Sequence, residues 1–96
     1  MRKIWITGAS SGIGKALAIK FANEGWKVAA SARRENLLKE LHDKYPNIEP
    51  FPLDVTDKDK CNSVFKNILE KFENIEICVF GTGIHDPKSE KKFNLE

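Results

Sequence analysis

The sequence predicts an α/β fold, with a parallel sheet of four strands covered by three helices. Two observations carry that prediction. Four short apolar segments alternate with three stretches of helical periodicity, and a glycine-rich turn joins the first segment to the first helix. Strand–helix–strand alternation with short connections implies parallel strands linked by right-handed crossovers. With 96 residues the chain is one domain at most, and 41% hydrophobic residues suffice for a core.

Lys3 to Thr7 reads as the first strand. From Ile13 to Glu24, Ile13, Leu17 and Phe21 recur every four positions, with Ala16, Ala18 and Ala22 between them. That is a helix face, and Gly25 stands where a helix C-terminus favours a positive φ. Lys27 to Ala32 is the second strand, built of small residues. Glu35 to Tyr45 carries Leu38, Leu41 and Tyr45 on one helical face, and Pro46 stops it. Ile48 to Leu53 is a weaker third strand, because Pro50 and Pro52 lack donors and prefer an edge. Thr56, with Asp59 three residues on, is the expected N-cap of a helix carrying Cys61, Val64, Phe65, Ile68 and Phe72. Ile75 to Phe80 is the fourth strand. Beyond Gly83 the pattern becomes a polar loop, and Phe93 to Glu96 resembles the first turn of another helix. The expected organisation is one unit over 1–84 and a tail over 85–96, and a chain that stops there looks cut short.

Composition narrows the function classes. Sixteen basic and 14 acidic residues leave a net charge of +2, and the cations are scattered. No nucleic-acid or membrane-surface partner is expected from that balance. No apolar run approaches the ~20 residues of a membrane span, and no signal-peptide apolar region follows Lys3. Cys61 and Cys78 form no metal-binding pair and read as small core residues in a reducing compartment, so a cytoplasmic location is expected. His42 and His85 lack ligand spacing and read as solvated surface residues. Trp5 and Trp26 read as core and strand-rim packing. Lys88, Lys91 and Lys92 are diluted by Asp86 and Glu90 and read as a solvated loop.

The chemistry concentrates at Thr7-Gly8-Ala9-Ser10-Ser11-Gly12-Ile13-Gly14. Gly8 permits a tight turn that a side chain would block. Gly12 and Gly14 permit close approach of backbone to a pyrophosphate and of helix to strand. The free N–H groups of the helix start then face the anion, and the strand before and helix after supply the context such a site needs. A Walker-type loop competes, since Gly14-Lys15 matches its end. It fails at Ala9, where its first glycine belongs, and at Ala16, where its metal-binding hydroxyl belongs.

The Thr-Gly-x-x-x-Gly-Ile-Gly pattern at 7–14 resembles the cofactor motif of the short-chain dehydrogenase/reductase family. Arg33-Arg34 after the second strand, Asp54-Val55 after the third and Gly81-Thr82-Gly83 after the fourth agree with it. The resemblance spans residues 3 to 83. It implies a Rossmann-like, doubly wound parallel sheet in the order 3-2-1-4, binding NAD or NADP outside the carboxyl ends of its strands. It also implies an oxidoreductase passing hydride between that cofactor and a carbonyl or alcohol.

In NAD-binding relatives an acidic residue ends the second strand and holds the ribose hydroxyls. Here that position falls near Ala32, and no carboxylate precedes Glu35. Arg33 and Arg34 suit the 2′-phosphate of NADP instead. The competing reading is that they solvate a helix start, where positive charge is unfavourable. Ser10 and Ser11 either hydrogen-bond phosphate or ribose, or cap the helix. By the resemblance Asp54 accepts from the adenine amino group and the Val55 backbone lies beside the ring, unless Asp54 is only a turn carboxylate.

Two departures stand out. The family typically shows Asn-Asn-Ala-Gly after the fourth strand, whereas this chain has Phe80-Gly81-Thr82-Gly83. Gly83 keeps the backbone's approach to the nicotinamide-side ribose, but the asparagine side chains are lost. The family's acid–base pair, Tyr-x-x-x-Lys with a serine on the fifth strand, is absent: the single tyrosine is Tyr45, and Glu49 lies four residues on. No catalytic residue is assigned, and the 96 residues alone are expected to be inactive. The rival readings are a noncatalytic nucleotide-binding module and a truncated product without function. A bare fourth strand, apolar at Ile75, Ile77, Cys78, Val79 and Phe80, is expected to be a sheet edge that self-associates.

Overall fold

The computed structural model describes residues 2–10, 12–54, 56–80 and 83–85, with Phe80 and 83–85 described by backbone alone. The elements run β1 (Lys3–Thr7), α1 (Gly12–Asn23), β2 (Lys27–Ser31), α2 (Glu35–Lys44), β3 (Ile48–Pro50), α3 (Lys58–Phe72), β4 (Ile77–Phe80) and β5 (Gly83–His85). The sheet order is β3-β2-β1-β4-β5. The first four strands are parallel, and the expected order 3-2-1-4 and three helices are all present.

Two-residue alternation along the strands divides the core into two layers. Ile4, Ile6, Val28, Ala30 and Val79 face one side, where they meet Ala18, Ala22, Leu38 and Leu41 of α1 and α2. Trp5, Ala29 and Cys78 face the other, against Cys61, Val64, Ile68 and Phe72 of α3. The sheet is therefore doubly wound. The chain reverses its direction of travel between β1 and β4, where an open parallel sheet leaves a crevice at the strands' carboxyl ends.

Several boundaries differ from the sequence reading. On α1 the buried residues are Ala18 and Ala22, whereas Ile13 is 81% exposed and Leu17 and Phe21 are only partly buried. Small side chains let the helix lie close to the sheet, so the larger residues flank the contact. The expected termination at Gly25 holds: its φ is 88°, and Gly25 N–H donates to Ala22 O at 3.1 Å. The β3 strand ends at Pro50 rather than Leu53. Phe51 and Leu53 still donate to Ala30 and Ala32 carbonyls, but Pro52 between them has no N–H. The β4 strand begins at Ile77, and Ile75 instead packs with the α3 layer. Asp57, not Thr56, caps α3: its side chain accepts from Lys60 N–H at 3.1 Å.

His42 is not simply solvated. Its Nδ1 lies 2.7 Å from the Ile48 carbonyl oxygen, tying α2 to β3. Trp5 and both cysteines are buried as expected. Burial pushes the Cys61 thiol up, with Asp57 and Asp54 adding to the shift, so it stays a protonated core side chain.

The expectation of a bare fourth strand is corrected. The β5 strand pairs antiparallel with β4, setting Cys78, Val79 and Phe80 opposite His85, Ile84 and Gly83. The outer N–H and C=O groups of β4 thus have a partner within the chain, and β4 is not the edge of the sheet. The expected tail lies, apart from the His85 backbone, outside the described residues. Among the described residues no helix is long and apolar enough to cross a membrane.

Candidate dinucleotide site

The β1–α1 turn is shaped by its glycines. Gly8 has φ 69° and Gly12 φ 58°, and a Cβ at either would meet nothing within 4 Å. Their requirement is therefore backbone conformation and not space, which corrects the reading of Gly8 as sterically blocked. Gly14 is the sterically demanding position: a Cβ there would lie 2.1 Å from the Gly8 carbonyl oxygen. The turn is also pinned to β2, since Ala9 N–H donates to Ser31 O at 3.1 Å. Beneath it, buried Trp5 Nε1–H donates to Ser31 Oγ at 2.8 Å, and Thr7 Oγ1–H donates to the Val79 carbonyl at 3.3 Å.

A cleft of about 500 Å³ opens beside this turn, lined by Gly8, Ser10, Ala32, Arg33, Arg34, Leu37, Leu53, Asp54 and Thr56. The fold thus brings together the glycine turn, the arginines after β2 and the aspartate after β3. Ala32, near which a carboxylate is expected for NAD, is buried, and both arginines are exposed. Arg34 occupies the N-cap of α2 and makes no capping hydrogen bond with its side chain. A guanidinium has no acceptor to offer there, so the helix start and the two cations all present positive charge to the cleft. Ile13 sits exposed on the first turn of α1, beside the glycines.

Asp54 closes the cleft's far wall. Its Oδ1 accepts from Thr56 Oγ1–H at 2.7 Å and from Thr56 N–H at 2.9 Å. These bonds, the hydroxyl's foremost, hold the carboxyl below the usual aspartate range. The nearby Arg33 charge adds to them, and slight burial works against them. Asp54 is therefore fully ionised at neutral pH. Whatever stability its bonds contribute is present above the ordinary aspartate value and is lost as pH falls through the lower folded value. In Thr56→Val the hydroxyl bond disappears while the N–H bond remains, so the Asp54 pKa is expected to rise part of the way to normal. A carboxyl-carbon NMR titration reads this directly, and an unchanged value would refute the assigned cause.

Ser11, Val55, Gly81 and Thr82 lie outside the described residues. The Gly83 backbone pairs with Phe80 in the β4–β5 hairpin. Among the described residues, no group of three or more His, Cys, Asp or Glu is arranged to hold a metal ion.

Residues 2–96 match the family model described as short chain dehydrogenase. The chain belongs to the short-chain dehydrogenase family. Over 83 residues it is 40% identical to 3-oxoacyl-(acyl-carrier-protein) reductase FabG of Thermotoga maritima, covering 82% of this chain and 34% of that protein. Glucose 1-dehydrogenase of Gluconobacter oxydans is 29% identical, covering 99% of this chain and 38% of the relative. Among solved structures, a betaketoacyl reductase (FabG) from Bacteroides thetaiotaomicron superposes with a TM-score of 0.78 at 31% identity. That match covers 84% of this chain and 40% of the other. A short chain dehydrogenase from Bacillus anthracis gives a TM-score of 0.78 at 32% identity, covering 83% and 34%. The chain thus spans about a third of the length of the curated short-chain dehydrogenases it matches. Family membership implies a nicotinamide dinucleotide cofactor.

Proposed function

We propose that residues 1–84 are the NADP-binding unit of an oxidoreductase that passes hydride between NADP(H) and a carbonyl or alcohol. The observation that carries the choice of NADP is the pair Arg33 and Arg34 at the cleft, with buried Ala32 in place of a carboxylate. A planar guanidinium meets a phosphate monoester through two parallel N–H bonds, which the hydroxyls of NAD do not offer. The open space beside Gly8 and Gly12 fits a pyrophosphate approaching the backbone. Bound NADP(H) supplies the hydride. The residues here bind and orient: Gly8, Ser10, Ser11, Gly12, Ile13 and Gly14 at the pyrophosphate, Arg33 and Arg34 at the 2′-phosphate, Asp54 and Val55 at the adenine, Gly81 and Gly83 toward the nicotinamide side. The relatives' names, a reductase and a dehydrogenase, support a carbonyl or alcohol as the partner.

Fluorescence titration of wild type and Arg33→Ala with NADPH and NADH tests the reading. A charge-assisted pair is worth about 1.5–3 kcal/mol, so the variant should lose NADPH affinity by roughly tenfold to a hundredfold and keep its NADH affinity. Equal wild-type affinities would refute the preference.

Within these 96 residues no Tyr-x-x-x-Lys pair occurs. These residues are proposed to bind and orient a cofactor, and they supply no tyrosine–lysine proton relay of their own. The 96-residue chain is expected to oxidise NADPH no faster than a protein-free control with aldehydes and ketones. A rate that vanishes on mutation of any residue here would contradict this.

A further inference from the structure

We infer that Lys15 is a third cation of the 2′-phosphate subsite, reaching it from the first turn of α1. The inference rests on the NADP reading above. A second cleft of about 400 Å³ runs between α1 and α2, and Lys15 lines it together with Ser10 and Leu37. Ser10 and Leu37 also line the cleft that holds Arg33 and Arg34, so the two hollows share a wall. Lys15 therefore stands across that wall from the arginines, at the end of the groove nearest the glycine turn. Lys15 is exposed and, among the described residues, takes part in none of the ion pairs, which include those of Arg2, Lys39 and Lys71.

Charge balance gives the lysine its role. A phosphate monoester carries close to two negative charges at neutral pH. In the first cleft Asp54 offsets one of the two guanidinium charges, leaving about one positive charge for a dianion. Lys15 supplies the second from the opposite side, and its flexible stem lets the ammonium reach an oxygen that the arginines leave free. The acidic residues of the second cleft, Glu40 and Asp43, stand five and eight residues beyond the start of α2 at Glu35, which is about 7 and 12 Å along the helix axis. Glu40 lies one helical turn beyond Leu37 of the shared wall, and neither carboxylate is ion-paired with Lys15.

The test uses two small probes, adenosine 2′,5′-bisphosphate and adenosine 5′-monophosphate, titrated calorimetrically at fixed low salt. Wild type is expected to prefer the bisphosphate. Lys15→Gln should weaken the bisphosphate about three- to fivefold and leave the monophosphate unchanged, and Lys15→Arg should restore most of the loss. Equal unfolding midpoints for the three proteins establish that the exposed substitution has not acted through the fold. A Lys15→Gln protein with the wild-type preference would overturn this role while leaving the arginine reading intact. A wild type that binds both probes equally, or neither, would overturn both.

Discussion

Gly14→Ala is expected to be the most damaging single change in the nucleotide turn. The added methyl would sit 2.1 Å from the Gly8 carbonyl oxygen and 2.7 Å from its carbonyl carbon. Both are backbone atoms, so no rotamer change relieves the clash. Either α1 withdraws from the turn or the turn lifts off the sheet and breaks the Ala9-to-Ser31 bond. Overpacking of this kind costs about 1–3 kcal/mol or more, a large fraction of a marginal stability. The same displacement moves the helix start away from the pyrophosphate, and dinucleotide affinity is expected to fall at least about tenfold. Urea denaturation and NADPH titration of the variant measure the two effects. Wild-type values in both would mean that the turn does not hold the close approach described here.

Trp5→Ala should cost the fold most. Trp5 is fully buried, stacks on Phe65 at a centroid distance of 5.7 Å, and donates to Ser31 Oγ. Its removal opens a large cavity under β1 and leaves the buried Ser31 hydroxyl without its donor. Losses of about 3–5 kcal/mol follow a buried Trp-to-Ala change, and an unsatisfied buried polar group adds to them. Trp5→Phe keeps an aromatic ring against Phe65 but loses the hydrogen bond, so it should fall between wild type and Trp5→Ala. Urea midpoints followed by circular dichroism order the three proteins. A Trp5→Ala midpoint within error of wild type would contradict the packing. Ser31 also receives Ala9 at its carbonyl, so the nucleotide turn should loosen along with the core.

The glycine pattern, the strand–helix alternation and the arginine pair were legible because each rests on local chemistry. Positive-φ turns need glycine, buried strands alternate, and cations do not normally stand at a helix N-cap. What escaped depends on tertiary contacts. Ile13 fits the apolar periodicity of α1, yet it is exposed because the close face of that helix is made of alanines. Thr56 and Asp57 are both good caps, and the choice between them is decided by Thr56 turning its hydroxyl to Asp54. The β5 strand is three residues long with no periodicity to announce it, and only its pairing with β4 reveals the reversal. Lys15 enters the sequence reading only as the end of a rejected Walker-type loop, and its place beside α2 depends on the packing of the two helices.

The central claim is that a nicotinamide dinucleotide binds at the carboxyl ends of the strands, across the glycine turn and the arginine pair. Amide chemical-shift mapping of the 96-residue chain with NADP⁺ tests it most directly. Saturable shifts are expected at Gly8, Ser10, the start of α1, Arg33, Arg34 and Asp54, with NAD⁺ producing smaller shifts at the two arginines. Shifts centred instead on Arg2, Lys27 and Glu76 at the opposite end of the sheet, or none at millimolar cofactor, would contradict it.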